Sequence, residues 1–295
     1  MSKFILQFTP FVLLTLSACR TADKLPSDSG DSGTADTADT DGSGPDTGDT
    51  GGNNTGTDTG GNDTGGNDTG GTDTSDAAKT HPCLVAHWPF DEGSGTTTVD
   101  ASGNGNDGVL QGGAAWTAGA TGNAVQLAGK TDFVEFGDIL SSVSLPVTIS
   151  AWVWIDGDSN FEIVNTDVDD ARYYGVWLQV SPNNTFSASY GDGTGGNGSQ
   201  YRRSVTSTDG VPRQTWIHLA AVVRGAEDME LYVDGARVTG TYDGTGGRFA
   251  RSTGSFGVGH GLSDGRVAYA EGAIDEVRVY DCDLDAAEIA KIAVR

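Results

Sequence analysis

The chain has 295 residues, 45 of them glycine, with 41 acidic side chains against 17 basic ones and a formal net charge of −24. Charge of that sign excludes nucleic acid and anionic lipid as partners held through charge, because both would be repelled. The acidity is not confined to one tract: residues 20–80 carry 13 Asp against Arg20, Lys24 and Lys79, and residues 81–295 carry 28 acidic against 13 basic residues.

Met1–Cys19 starts with Lys3, continues through the apolar run Phe4–Leu16 and ends in Leu16-Ser17-Ala18-Cys19. The run is shorter than the about 20 residues of a membrane-spanning helix and reads as an export signal over residues 1–18. Its last four residues resemble the bacterial lipobox. That resemblance implies cleavage before Cys19 and a diacylglycerol on its thiol, a lipoprotein anchored in the bacterial cell envelope. Several acyl chains anchor stably where one does not. Arg20 after the cysteine favours the outer membrane or cell surface. The alternative is an ordinary signal peptide with a chance cysteine.

Residues 19–80 are almost all Asp, Thr, Gly, Ser and Asn, with three near-copies of a five-residue unit over Gly60–Thr74. So few apolar groups cannot offset chain entropy, so the tract is expected to be a disordered tether. A Gly-rich chain of this length reaches about 40–45 Å.

Residues 81–295 are long enough for one sizeable core. Short apolar runs separated by Gly, Asn and Asp predict an all-β, two-sheet antiparallel sandwich. Leu84–Phe90 is the first predicted strand. In Val147–Ile155, Val147, Ile149, Ala151, Val153 and Ile155 form one apolar face, and Tyr174–Val180 repeats the pattern. Asp234-Gly235 between Glu230–Val233 and Ala236–Val238 predicts a hairpin, because both turn residues need φ > 0. Gly272–Tyr280 alternates Ala273, Asp275, Val277 and Val279 with Ile274, Glu276, Arg278 and Tyr280. Asp285-Ala-Ala-Glu288 resembles a capping box opening a short helix over Asp285–Ala293, expected to plug one end of the sandwich.

Six segments in order, LVAHWPFDEGSGTTTVDASGNGNDGVL, GNAVQLAG with KTDFVEF, VTISAWVWI, TWIHLAAVV, LYVDG and AIDEVRVYDCDLDAAEIA, resemble the concanavalin A-like (laminin-G-like) jelly-roll family across residues 84–293. The resemblance implies a two-sheet jelly roll, one sheet concave, with the first and last strands paired. It also implies carbohydrate binding, adhesion or service as an appended module.

With Cys19 assigned to the anchor, Cys83 and Cys282 remain, and an exported domain predicts a disulfide between them; two free thiols are the alternative. Closing a loop of about 200 residues stabilises by up to about 5 kcal/mol in the chain-entropy model. The four histidines, at 81, 87, 218 and 260, show no zinc-ligand spacing. Asp91 and Asp275 would share a face if the terminal strands are neighbours, and Asp100 and Asp107 of the loop Asp100–Gly108 are further candidates for a structural Ca2+. The alternative is that these carboxylates cap turns.

Trp152, Trp154, Trp177, Tyr190, Tyr201 and Arg202 are candidate ligand-binding residues for a sugar platform. Trp152 also matches a family tryptophan whose role is packing. No pair of carboxylates has the spacing that glycoside hydrolysis needs, and neither G-x-S-x-G nor HExxH occurs, so no enzymatic activity is expected. The expected partner is therefore a carbohydrate or cell-surface glycan, bound by a surface-displayed, non-catalytic module. A protein-binding or architectural module without a sugar site is the alternative.

Overall fold

The computed structural model describes residues 81–139, 141–166, 173–196, 198–252, 254–263 and 266–295. The expected signal peptide, Cys19 and the tether lie outside them. Strands are numbered along the chain. The first sheet contains β1 (Leu84–Trp88), β4 (Ala115–Ala118), β5 (Asn123–Ala128), β7 (Val147–Ile155), β12 (Ile217–Gly225), β13 (Asp228–Val233), β14 (Ala236–Val238) and β19 (Glu271–Tyr280). Its order is β14-β13-β12-β7-β19-β5-β4, with β1 also on β19. The second sheet contains β2 (Thr97–Thr98), β3 (Gly108–Gln111), β6 (Phe133–Phe136), β8 (Phe161–Asn165), β9 (Val176–Val180), β10 (Thr185–Gly191), β11 (Arg202–Gly210), β15 (Gly240–Asp243) and β16 (Phe256–Val258). Its order is β15-β11-β10-β9-β8-β16-β6-β3-β2. The strands β17 (His260–Ser263) and β18 (Arg266–Tyr269) form a separate hairpin, and helix α1 spans Ala286–Ile292.

The core lies between the two sheets. Val147, Ile149, Ala151, Val153 and Ile155 of β7 and Val176, Leu178 and Val180 of β9 all enter it. Trp88 packs there on Phe136 and Phe256, with ring centroids 4.0 and 5.4 Å away. Strand β1 ends two residues before the expected Phe90. That residue is buried but has φ 56, which turns the chain out of the sheet.

The terminal strands meet as expected. Leu84 pairs with Tyr280, His87 with Arg278 and Trp88 with Val277, all antiparallel. A disulfide joins Cys83 to Cys282 across that end, with Cα atoms 6.0 Å apart. The hairpin at Asp234-Gly235 is also present, with φ 47 and 77.

Two expectations are corrected. Strand β19 does not alternate throughout: its register with β7 shifts between Asp275 and Arg278, and Glu276 has φ 53. A residue inserted into one strand only is a β-bulge, and it exchanges the faces beyond it. Ile274, Val277 and Val279 therefore share the core, and Asp275 points the other way. Helix α1 does not plug an end. Its Ile289 and Ile292 pack with Ala220, Val222, Tyr232 and Tyr280 on the outer face of the first sheet. The capping box is present, with Asp285 accepting from Glu288 N at 2.8 Å and Glu288 Oε2 accepting from Asp285 N at 2.7 Å.

Glu162 is an unexpected feature of β8. It points away from the core yet has no exposure, because Gly261 of the β17–β18 hairpin lies over it. A Cβ on Gly261 would sit 2.3 Å from Asn165 Nδ2 and 3.0 Å from Glu162 Oε2, so glycine lets the hairpin approach these side chains without displacing them. Neither carboxyl oxygen has a partner among the described residues, and burial pushes the pKa up to about 8. The folded protein keeps this proton up to about pH 8, whereas the unfolded chain releases it near the ordinary value of 4.5. Between those values folding takes up a proton, so this contribution is fully present below pH 4.5 and is lost as pH rises toward 8. Glu162→Gln should flatten the fall in melting temperature between pH 5 and 8. Parallel melting curves for the variant and the native chain would contradict this account.

Candidate functional site

The second sheet turns its outer face toward a cavity of 240 Å³. Alternation sets the lining. In β9, Val176, Leu178 and Val180 face the core, so Trp177 and Gln179 face the cavity. In β10, Phe186 and Ala188 face inward, leaving Ser187 and Ser189 outward. In β11 the inward residue is Val205, and Arg202, Ser204 and Thr206 project to the cavity. Cross-strand register puts these side chains in rows. Trp177, Ser189, Ser204 and Asp243 pair successively across four strands.

The polar groups in the rows are connected. Arg202 Nη2 donates to Asp243 Oδ2 at 2.9 Å, and its Nη1 donates to Ser204 Oγ. Ser204 and Ser189 share a hydroxyl hydrogen bond of 2.7 Å. The Arg202–Asp243 pair balances charge locally, so the described lining residues offer donors and acceptors side by side without net charge. Vicinal hydroxyl groups, each both donor and acceptor, match such a surface. Trp177 is 4% exposed because Tyr173 stacks on it, centroids 4.9 Å apart. The pair forms a packed wall of the cavity and presents no open aromatic plane.

The six expected platform residues divide among separate places. Only Trp177 and Arg202 line the cavity. Trp152 and Trp154 lie on β7, on the outer face of the opposite sheet, so they cannot share a ligand with Trp177. Trp152 is buried edge-on against His218 and beneath the Arg295 guanidinium, which lies 4.6 Å from its ring. Trp154 is half-buried, donates to Asp156 at 2.8 Å and meets Trp216 edge-on. Tyr190 faces the core, where its hydroxyl donates to Gly247 O at 3.2 Å. Tyr201 ends the short 3₁₀ turn Ser199–Tyr201 and does not line the cavity. Ser187, Ser189, Ser204, Thr206 and Asp243 are lining residues that the sequence reading does not name. Ser204, Thr206 and Asp243 lie on β11 and β15, whose mostly polar sequences resemble loops.

The four carboxylates considered for Ca2+ also divide. The bulge in β19 aims Asp275 at the loop 119–123, where its Oδ2 accepts from Thr121 N at 3.1 Å. Asp91 reaches the same loop, its Oδ1 accepting from Asn123 N at 2.8 Å. Gly119 and Gly122 make room: a Cβ on either would lie 2.6 Å from Asp275 Oδ2 or 2.0 Å from Asp91 Oδ1. Asp275 has no exposure, and its Oδ1 has no partner among the described residues. Burial, reinforced by the charges of Glu276 and Asp91, pushes its pKa up to about 8. An unpartnered buried carboxylate oxygen beside a second carboxylate fits a hard cation.

Asp100 and Asp107 do not join them. Asp100 accepts from the backbone N–H groups of His87 and Ser102, both at 2.9 Å, and of Asn106 at 3.1 Å. Asp107 accepts from Asp100 N at 2.9 Å. Asp100 ties the loop 100–107 to β1 through His87 N, and Asp107 braces that loop from within, contacts of the turn-capping kind.

No curated protein matches the chain in sequence. Solved structures share the fold. Domain 4 of AbnA, a GH43 extracellular arabinanase from Geobacillus stearothermophilus, in complex with arabinotriose, has a TM-score of 0.53 at 20% identity. The match covers 72% of this chain and 98% of that one. The binding domain of botulinum neurotoxin DC is similar, both in complex with SialylT and in complex with rat synaptotagmin II. Each comparison gives a TM-score of 0.52 at 10% identity, over 72% of this chain and 51% of the other. This chain thus spans about half the length of the toxin domain. A family model described as the concanavalin A-like lectin/glucanases superfamily matches residues 128–290, more than half of the sequence. With two facing antiparallel sheets and that match, the chain belongs to the concanavalin A-like lectin/glucanases superfamily.

Proposed function

We propose that the domain is a non-catalytic carbohydrate-binding module, displayed at the bacterial outer envelope on a lipid-anchored tether and stabilised by Ca2+. The observation that carries the binding reading is the cavity on the second sheet, with its charge-balanced Arg202–Asp243 pair and rows of serine hydroxyls. The arabinotriose complex of the arabinanase domain supports it by analogy of fold, a weaker warrant than the site itself. Among the described residues Asp243 is the one carboxylate in the lining, and Arg202 holds it. Among the described lining residues there is no second carboxylate to partner it in two-carboxylate hydrolysis, which favours the binding reading. The anchor and tether are supported by the lipobox-like Leu16–Cys19 and by the Asp/Thr/Gly-rich tract. Ca2+ would be held by Asp91 and Asp275 with loop oxygens, displacing the proton of the buried Asp275 and offsetting the negative charge its carboxylate then carries.

Binding to immobilised oligosaccharides, arabinotriose and sialylated sugars among them, tests the sugar reading. Arg202→Ala should weaken binding about tenfold or more, the scale of one charged hydrogen bond of about 1.5–3 kcal/mol. Trp154→Ala, on the opposite sheet, should leave binding unchanged. Binding to no sugar, with capture of a protein ligand instead, would favour an adhesion module of the same fold, as the synaptotagmin complex of the toxin domain illustrates.

For Ca2+, exhaustive chelation should lower the melting temperature of the native chain and leave that of Asp275→Asn unmoved. A native melt that ignores chelation would remove the ion from this account.

A further inference from the structure

The closed end of the sandwich carries a second cluster, on the opposite sheet from the cavity. His81 Nδ1 lies 3.0 Å from Cys83 Sγ. Its Nε2 meets Glu288 Oε1 at 3.2 Å. Tyr280 packs edge-on to the imidazole, with centroids 5.6 Å apart. The ligand atoms of His81, Cys83 and Cys282 all lie within 4.8 Å of one another, and all three residues are half-buried. Among the described residues this is the one group of three such side chains with that spacing.

Thiolate and imidazole are the donors that zinc prefers, and a tetrahedral site with bonds of about 2.0–2.3 Å needs donors roughly 3.5–3.8 Å apart. A carboxylate on the far nitrogen of a ligating histidine is the usual outer support of such a site. Glu288 has that position, and the capping box fixes it, since its other oxygen accepts from Asp285 N at 2.7 Å. We propose that the Cys83–Cys282 disulfide is one state of a switchable site, and that the reduced chain binds a zinc-like divalent metal through His81 Nδ1, Cys83 Sγ and Cys282 Sγ, with a fourth position open to water.

Backbone contacts besides the S–S bond also join the two cysteine segments. Leu84 pairs with Tyr280, and Asp281 N donates to Cys83 O at 3.0 Å. Partial exposure lets a dithiol reach the sulfur atoms. The reductant gives two electrons and two protons: the S–S bond breaks, both cysteines become thiols, and the reductant closes its own disulfide. Binding of the divalent ion then displaces the two thiol protons, and His81 donates its lone pair from Nδ1 while Nε2–H points at Glu288. The bound metal shields the thiolates from reoxidation, so metal and disulfide exclude each other.

The test uses the full-length chain, reduced with a phosphine and titrated with Co2+ as the probe. The expected result is a thiolate-to-cobalt charge-transfer band in the near ultraviolet. It should be absent from the oxidised chain and be displaced by Zn2+. His81→Ala should weaken Co2+ binding by about tenfold or more, and Glu288→Gln by about tenfold. A reduced chain that keeps its far-ultraviolet strand signal but shows no band would overturn the proposal, as would equal affinity in His81→Ala. If reduction alone unfolds the chain, reduction in the presence of Zn2+ should preserve the strand signal. Unfolding despite Zn2+ would equally overturn it.

Discussion

The structure depends on the pairing of its first strand with its last. Without β1 on β19, the first sheet would lose the strand that carries Ala86 and Trp88 into the core. The two strands are almost 200 residues apart in sequence, and the disulfide spans a separation of 199. Such distant closure is entropically costly, and a cross-link at that point acts mainly by restricting the unfolded chain. β19 is also the joint for everything else in its sheet, since it touches β1 and β5 on one edge and β7 on the other.

One residue in that strand decides the placement of a carboxylate. Glu276, in a left-handed conformation, adds the extra position that lets Val277 and Val279 reach the core while Asp275 turns to the loop 119–123. A regular strand would keep Asp275 on the same face as Val277 and Val279, where no partner awaits a charge. The buried carboxylate, the glycine-lined loop and Asp91 are therefore consequences of one bulge. The same outer face of the first sheet is then filled by the C-terminal helix and by Arg295 over Trp152. That leaves the second sheet with the open polar surface.

Much of this was legible in the sequence, for local reasons. The alternation of β7 names its inward face, Asp234-Gly235 names its hairpin, and Asp285 with Glu288 names the helix start. What was hidden depends on more than local pattern. Alternation tells inside from outside but not which of two sheets a strand joins, so Trp152 and Trp177 looked like parts of one platform. β11, reading RRSVTSTDG, brings only Val205 to the core and looks like a loop, yet it supplies Arg202, Ser204 and Thr206. The burial of Glu162 is imposed by Gly261, about a hundred residues later in the chain. His81 stands two residues before Cys83 in the sequence, but the meaning of that spacing depends on Cys282 and Glu288, which the fold delivers.

The claim that everything else depends on is the pairing of β1 with β19, and amide hydrogen exchange measures it most directly. Strands that open only with the whole domain exchange at its global stability, whereas frayed elements exchange far faster. The account predicts that the hydrogen-bonded amides of β1 and of residues 277–280 exchange as slowly as those of β7 and β12. Amides of β1 exchanging as fast as those of exposed loops, while β7 stays protected, would contradict it.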